Sequence, residues 1–271
     1  MNRVEIADII VFKIEHNIDY LKKEFKKSAA GIGYFFVDDL LPYELATQLA
    51  GKFPSSDQMV LKKSLREDKF IGVQMNQYDT LLEETIYAFQ DERIVRLISE
   101  ITELQHIFPD EKLYAGGISL MKKNQFLNPH LDNSHDKDRE RWRVLNLLYY
   151  VTPNWELENG GNLELWPNGL KNKAVVIESK FNRLAVMATH NNSLHSVSPI
   201  LENVERRCIS NYYFSSVPVR SDDTFHVTSF RGRPENKIAD MVLQVDTFLR
   251  MGIRKIFKKG IKENPHYYKK E

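Results

Sequence analysis

One cysteine in 271 residues, Cys208, has nothing to pair with, which excludes an internal disulfide and a cysteine-built zinc cage. No apolar run reaches the eighteen or more residues of a membrane-spanning helix. Low-complexity tracts and internal repeats are absent, and so is any large excess of charge. At a net +1 the chain as a whole offers no electrostatic case for nucleic acid. The opening stretch, MNRVEIADIIVFKIEHNIDY, carries acids inside its apolar run and does not read as a secretion signal. What remains is an ordinary globular composition, 42% hydrophobic and 28% charged, and the expectation of a cytoplasmic enzyme or binding protein.

The chain divides into three stretches of one domain. Residues 1–110 form a lead-in region, mostly helical by pattern: Ile6, Ile10, Ile14, Ile18, Leu21 and Phe25 recur at three- or four-residue steps. A strand is expected at Tyr34–Val37 and a helix after Pro42. Two further helices are expected over 79–106, broken near Asp91. Residues 111–217 change texture, with short strand-like runs (LYAGGISLM, RVLNLLYYV, GGNLELWP, AVVIE, RLAVMAT, RRCISNYYFSS) between turn-forming breaks. That pattern predicts a sandwich or barrel-like β core. Residues 218–271 hold a loop and then helical spacing from Ile238 to Phe257. From Arg250 onward eight Lys/Arg stand against two Glu, a local +6 that leaves about −5 for the rest. A plain surface helix is one reading of this basic, apolar-striped end; a segment lying on anionic lipid or on an acidic partner is the other.

The chemistry concentrates in FLNPHLDNSHD, residues 126–136. On an extended strand His130 and Asp132 share a face, so an imidazole and a carboxylate can take adjacent positions on a divalent metal. A second imidazole would complete a two-His-one-carboxylate triad with open positions, the arrangement of non-heme Fe(II) oxygen chemistry. His195, in HSVSP, lies 65 residues on, far enough for antiparallel strands to bring it back; His190 is its rival. Eleven residues later come Arg206 and Arg207, and strand alternation lets only one face inward. If Arg206 does, Cys208, Ser210 and Tyr212 go with it. A guanidinium there could grip a carboxylate with two bonds, and Ser210 could sit on the same anion.

With H-x-D, RVLNLLYYVTPNWELENGGNLELWP, HSVSP and the arginine strand in order, the sequence over about 112–216 resembles the Fe(II)/2-oxoglutarate-dependent oxygenases, in particular their prolyl-hydroxylase-like branch. The resemblance implies an α+β protein with a double-stranded β-helix core of jelly-roll or cupin-like type, the N-terminal helices packed on it and a C-terminal helix behind. It implies His130, Asp132 and His195 as iron ligands, and it selects Arg206 for the distal carboxylate of 2-oxoglutarate. Tyr150 would assist that arginine, with Leu148 on the same inner face and Leu163 lining the co-substrate pocket. The implied cofactors are Fe(II), 2-oxoglutarate and O2, with ascorbate as a reductant. The implied activity is hydroxylation of an unactivated C–H bond with release of succinate and CO2. Asp132 argues against halogenation, since related halogenases carry a small residue there.

The tyrosine that many prolyl-hydroxylase relatives place just before H-x-D is absent from SLMKKNQFLNP, so the resemblance speaks more to cofactors than to prolyl substrates. A small molecule or a surface or lipid-linked glycan is the favoured substrate. A peptidyl hydroxylase, a metalloprotein without 2-oxoglutarate, and an inactive β-helix binding module are the alternatives. Gly160-Gly161 also reads as a tight turn, Trp155 and Trp166 as packing residues, and His135, Asp136 and Asp138 as solvated loop.

Overall fold

The isoleucine spacing at the N-terminus resolves into two helices in a computed structural model of the protein, which describes residues 1–114, 116–256 and Tyr268. The first is α1 (Arg3–Glu15), opened by a capping box in which the Asn2 side chain accepts from the Val4 and Glu5 amides. It is followed by α2 (Ile18–Ser28), and α3 (Tyr43–Gly51) begins after Pro42 as expected. The break at Asp91 is an N-cap. Asp79 and Asp91 accept from the Leu81 and Arg93 amides and start α4 (Thr80–Ala88) and α5 (Glu92–Thr102).

The strands are β1 (Tyr34–Val37), β2 (Val60–Lys63), β3 (Glu67–Gly72), β4 (Ile107–Pro109), β5 (Gly117–Met121), β6 (Phe126–Leu131) and β7 (Trp142–Tyr150). They continue with β8 (Leu163–Leu165), β9 (Val175–Ile177), β10 (Arg183–Ala188), β11 (His195–Val197), β12 (Arg206–Ser215) and β13 (Ser229–Phe230); a last helix, α6, spans Lys237–Ile256. All the strands join one antiparallel sheet. Its order is β1-β10-β7-β12-β5-β3-β6-β11-β8-β9, with β4, β2 and β13 attached to β12, β3 and β6.

Alternation along the strands shows how this sheet closes. On β7, Leu145, Leu147 and Tyr149 face outward and pack with Ile6, Ile10, Leu82, Ile86 and Ile98 of the helices. On the other face, Leu148 and Tyr150 of β7, Cys208 of β12 and Ala185 of β10 pack with Leu163, Leu165 and Ile177 of β8 and β9. Residues from the two ends of the strand order therefore meet inside, so the sheet curls into a double-stranded β-helix with the helices on one outer wall. The β2–β3 hairpin had no counterpart in the sequence reading, yet β3 pairs with both β5 and β6 and bridges the two halves.

Candidate metal and co-substrate site

Register brings the ligands together. Antiparallel β6 and β11 place His130 and His195 directly opposite each other, so residues 65 apart in sequence become cross-strand neighbours with ring centroids 4.2 Å apart. Asp132 follows just beyond the end of β6. Its Oδ1 lies 3.6 Å from His130 Nε2 and its Oδ2 lies 3.7 Å from His195 Nε2. Two bonds of about 2.1 Å span up to about 4.2 Å, so one ion can join each pair. Among the described residues these three form the one cluster whose ligand atoms all lie within 4.8 Å of one another.

The imidazoles are presented correctly for this. His130 Nδ1 donates to the Asn128 carbonyl and His195 Nδ1 to the Ser193 carbonyl, each at 2.9 Å, which fixes the proton on Nδ1 and leaves the Nε2 lone pairs free. Burial, with His130 beside it, lowers His195 to about 4, so it is neutral at pH 7. Burial alone would raise Asp132, but the Arg143 guanidinium and both imidazoles outweigh it and hold the carboxyl well below the usual range. Arg143 Nη1 stands 3.4 Å from Asp132 Oδ1, over the Tyr212 ring at 4.5 Å, while Asn146 Nδ2 donates to Oδ2 at 2.7 Å. Phe230 stacks on His130 with its centroid 5.0 Å away.

The alternation on β12 is settled in favour of Arg206. Its side chain is 3% exposed, whereas Arg207 points out and bonds the Ala50 carbonyl and Glu205. Arg206 Nε donates to Ser179 Oγ at 2.9 Å, and its guanidinium carbon sits 4.9 Å from the Tyr150 ring centre. No carboxylate of the described residues pairs with it. The Tyr150 hydroxyl is fully buried next to Ser179 and Arg206 without a well-formed hydrogen bond to either, and burial, only partly opposed by these two, pushes it up to about 12. A buried guanidinium without an anion beside an orphaned phenol is the interior expected of a carboxylate site. Leu148 pairs in register with Ser210 on this wall, and Leu163 packs against Tyr150 and Cys208. A cavity of about 140 Å³, lined in part by Lys69, Ser119, Ser210 and Tyr212, reaches the same inner face.

Arg143, Asn146 and Ser179 were not foreseen. Asn146 did leave a signal, as the lone amide in the apolar strand WRVLNLLYY; Ser179 sits in a turn and left none. His135 departs from its solvated-loop reading: it is 5% exposed, packs on Phe225, and is lowered to about 3 by burial and by Arg139, Arg254 and Arg143. His190 is structural, buried with Nε2 on the Ile32 carbonyl. Tyr149, by contrast with Tyr150, belongs to the outer core and donates to Asn182 Oδ1.

Two histidines and a carboxylate close enough to share one ion, with a buried arginine that meets no acid among the described residues, suit a non-heme metal centre inside a double-stranded β-helix. The family comparison agrees: the model of the 2OG-Fe(II) oxygenase superfamily matches residues 116–214. The match covers the β core that carries the site, and on it the protein reads as a 2-oxoglutarate-dependent dioxygenase working with Fe(II) and O2. No curated protein matches the sequence. Among solved structures, a prolyl-4-hydroxylase of Pseudomonas putida is similar at TM-score 0.54 and 18% identity, over 71% of this chain and 97% of that one. A prolyl hydroxylase of Trichoplax adhaerens, solved with a hypoxia-inducible-factor peptide, gives 0.55 and 21% over 75% and 93%. The epimerase SnoN from nogalamycin biosynthesis gives 0.53 and 11% over 73% and 84%. At these identities the likeness is one of fold.

Proposed function

We propose that the protein hydroxylates an unactivated C–H bond of a small molecule or of a surface or lipid-linked glycan. One atom of O2 enters the substrate as hydroxyl, and the other enters 2-oxoglutarate as it loses CO2 and becomes succinate. The observation that carries this reading is the buried, acid-free Arg206 on the same inner wall as the His130–Asp132–His195 cluster. When bound, the iron and its co-substrate supply the activation of O2 that breaks the C–H bond.

The rest falls to the chain. His130, Asp132 and His195 hold three positions of the ion and leave the others open. Arg143 and Asn146 keep the Asp132 carboxylate ionised and aimed. Ser179 fixes Nε of Arg206, so the remaining guanidinium donors face the far carboxylate of 2-oxoglutarate, with the Tyr150 hydroxyl as a second donor. Leu148, Leu163 and Cys208 keep water from the space between, and Ser210 lines it.

Succinate release measured over a panel of metabolites, glycans and proline-containing peptides, with and without ascorbate, tests the proposal, with Asp132→Ala as control. Substrate-stimulated release that the control abolishes is expected. Release with peptides alone would replace the proposed substrate class. A folded protein that gives no visible band on anaerobic addition of Fe(II) and 2-oxoglutarate would overturn the assignment of the site.

A further inference from the structure

A cleft of about 610 Å³ opens between α6 and the rim of the barrel, room for a ligand of more than one ring. The helix contributes Thr247 and Phe248, and the strand side contributes Trp166 and Phe230. Asp240 and Asp246 tie the helix down, the first to Arg231 at 2.6 Å and the second to Arg66. The basic stretch past Ile256, which the sequence offered to lipid or an acidic partner, lies outside the described residues, Tyr268 apart.

No acid lines this cleft, and two of its polar groups lack partners. Thr247 and Asn191 each carry a buried atom, Oγ1 and Oδ1, with no hydrogen bond, and ligand hydroxyls would supply one. Of the two lining arginines, Arg231 is spent on Asp240. The Arg220 side chain meets only backbone, the carbonyls of residues 29–31, and forms no ion pair among the described residues. An unspent cation in an acid-free lining complements an anionic guest. The cleft also adjoins the metal site: Phe230 stacks on His130, and Asn191 is shared with a narrow recess lined by Asp132 and Arg143. Leu131 lines it too, but alternates with His130 and Asp132 and so faces the other way. The cleft therefore suits the part of a substrate that lies beyond the reacting carbon.

We propose that it binds this remote part, and that the substrate is an oligosaccharide bearing a carboxylate or phosphate group. The proposal rests on the hydroxylase reading above and narrows it. Polarised C–H faces of sugar rings pack on the three aromatic rings, whose faces are negative, and Arg220 takes the acid. A proline-rich peptide would use the rings but leave the cation and the unpartnered polar atoms unanswered. Binding energy gained here holds the reacting end in place.

Anaerobic titration calorimetry on protein loaded with Mn(II) and 2-oxoglutarate compares a tetrasaccharide containing glucuronic acid, a phosphorylated tetrasaccharide, a neutral counterpart and a proline-rich peptide. An acidic tetrasaccharide is expected to bind at least about tenfold tighter than the neutral one, and less tightly in high salt; which acid binds identifies the group. Phe248→Ala, at a position 77% exposed, should weaken that binding by about tenfold with the melting temperature level. Arg220→Gln should erase the preference for the acid. Failure of the underlying reading shows separately, as a missing visible band with Fe(II) and 2-oxoglutarate. A protein that gives the band but binds no acidic tetrasaccharide, binds the neutral one equally, prefers the peptide, or ignores both substitutions would overturn the proposal.

Discussion

Replacing Arg206 with Met separates a carboxylate anchor from a structural arginine. In the apo protein this guanidinium is 3% exposed, has only neutral partners, Ser179 Oγ and the Met121 sulfur, and meets no acid among the described residues. A buried charge in that state is a net cost, and a methionine of similar volume removes it. Ser179 stays satisfied, because its hydroxyl donates to the Gly161 carbonyl at 2.8 Å. The apo melting temperature of Arg206→Met is therefore expected to stay level or rise. Ligand binding should respond in the opposite direction. Losing one partner of a buried charge pair costs about 2–5 kcal/mol, or about 30-fold to several thousand-fold in Kd. At free 2-oxoglutarate of about 100 Kd the wild type gains about 2.7 kcal/mol; a 30-fold weaker site gains about 0.9. The ligand-induced shift in melting temperature should thus fall to about one-third or less, measured anaerobically with Mn(II) in place of iron. A variant that keeps the full shift, or whose apo form is clearly destabilised, would refute the reasoning.

Four further outcomes follow from the same geometry. Asn146→Leu removes the 2.7 Å donation to Asp132 and should weaken Mn(II) binding by about 10–100-fold while saturating metal restores turnover; unchanged affinity with lost turnover would contradict this. His135 is lowered from 6.5 to about 3, so the unfolded chain binds a proton the folded one refuses. Its contribution to stability is complete above pH 6.5 and falls as the pH drops toward 3, and His135→Gln should flatten that limb in urea titrations at stepped pH. Gly161 adopts φ +60° and a Cβ there would lie 3.1 Å from Arg206 Cδ and 2.9 Å from Trp155, so Gly161→Ala should raise the KM for 2-oxoglutarate by about tenfold. Gly160→Ala should instead impair folding, since its Cβ would meet the Pro199 carbonyl at 2.1 Å.

The sequence was most legible where one element suffices to define a pattern. Helical spacing located α1 and α2, and the acids at 79 and 91 acted as the caps that local chemistry requires. The H-x-D pair was readable because both residues lie at one strand end. Partners reached only through the folded sheet were not readable. Ser179 meets Arg206 from a turn 27 residues earlier, and Arg143 reaches Asp132 by stacking over Tyr212 of another strand. The β2–β3 hairpin escaped notice because its residues are half-exposed, so no apolar alternation marks them. The α6 stripe was visible as a period, but a period reports that an apolar face exists and not what covers it.

Most buried polar groups in a folded chain find partners within that chain, and the exceptions have a cause. On one wall of the barrel the Tyr150 hydroxyl breaks this rule beside Arg206, whose charge meets no acid among the described residues, while Asp132, a few strands away, has the Arg143 guanidinium and two imidazoles around it. The two irregularities are complementary. A ligand set with open positions and an arginine with no anion are jointly relieved by a molecule that chelates the ion at one end and offers a carboxylate at the other. On the proposed reading the interior is shaped for its co-substrate, and this pairing of irregularities would be hard to account for in a β-helix serving as a scaffold alone.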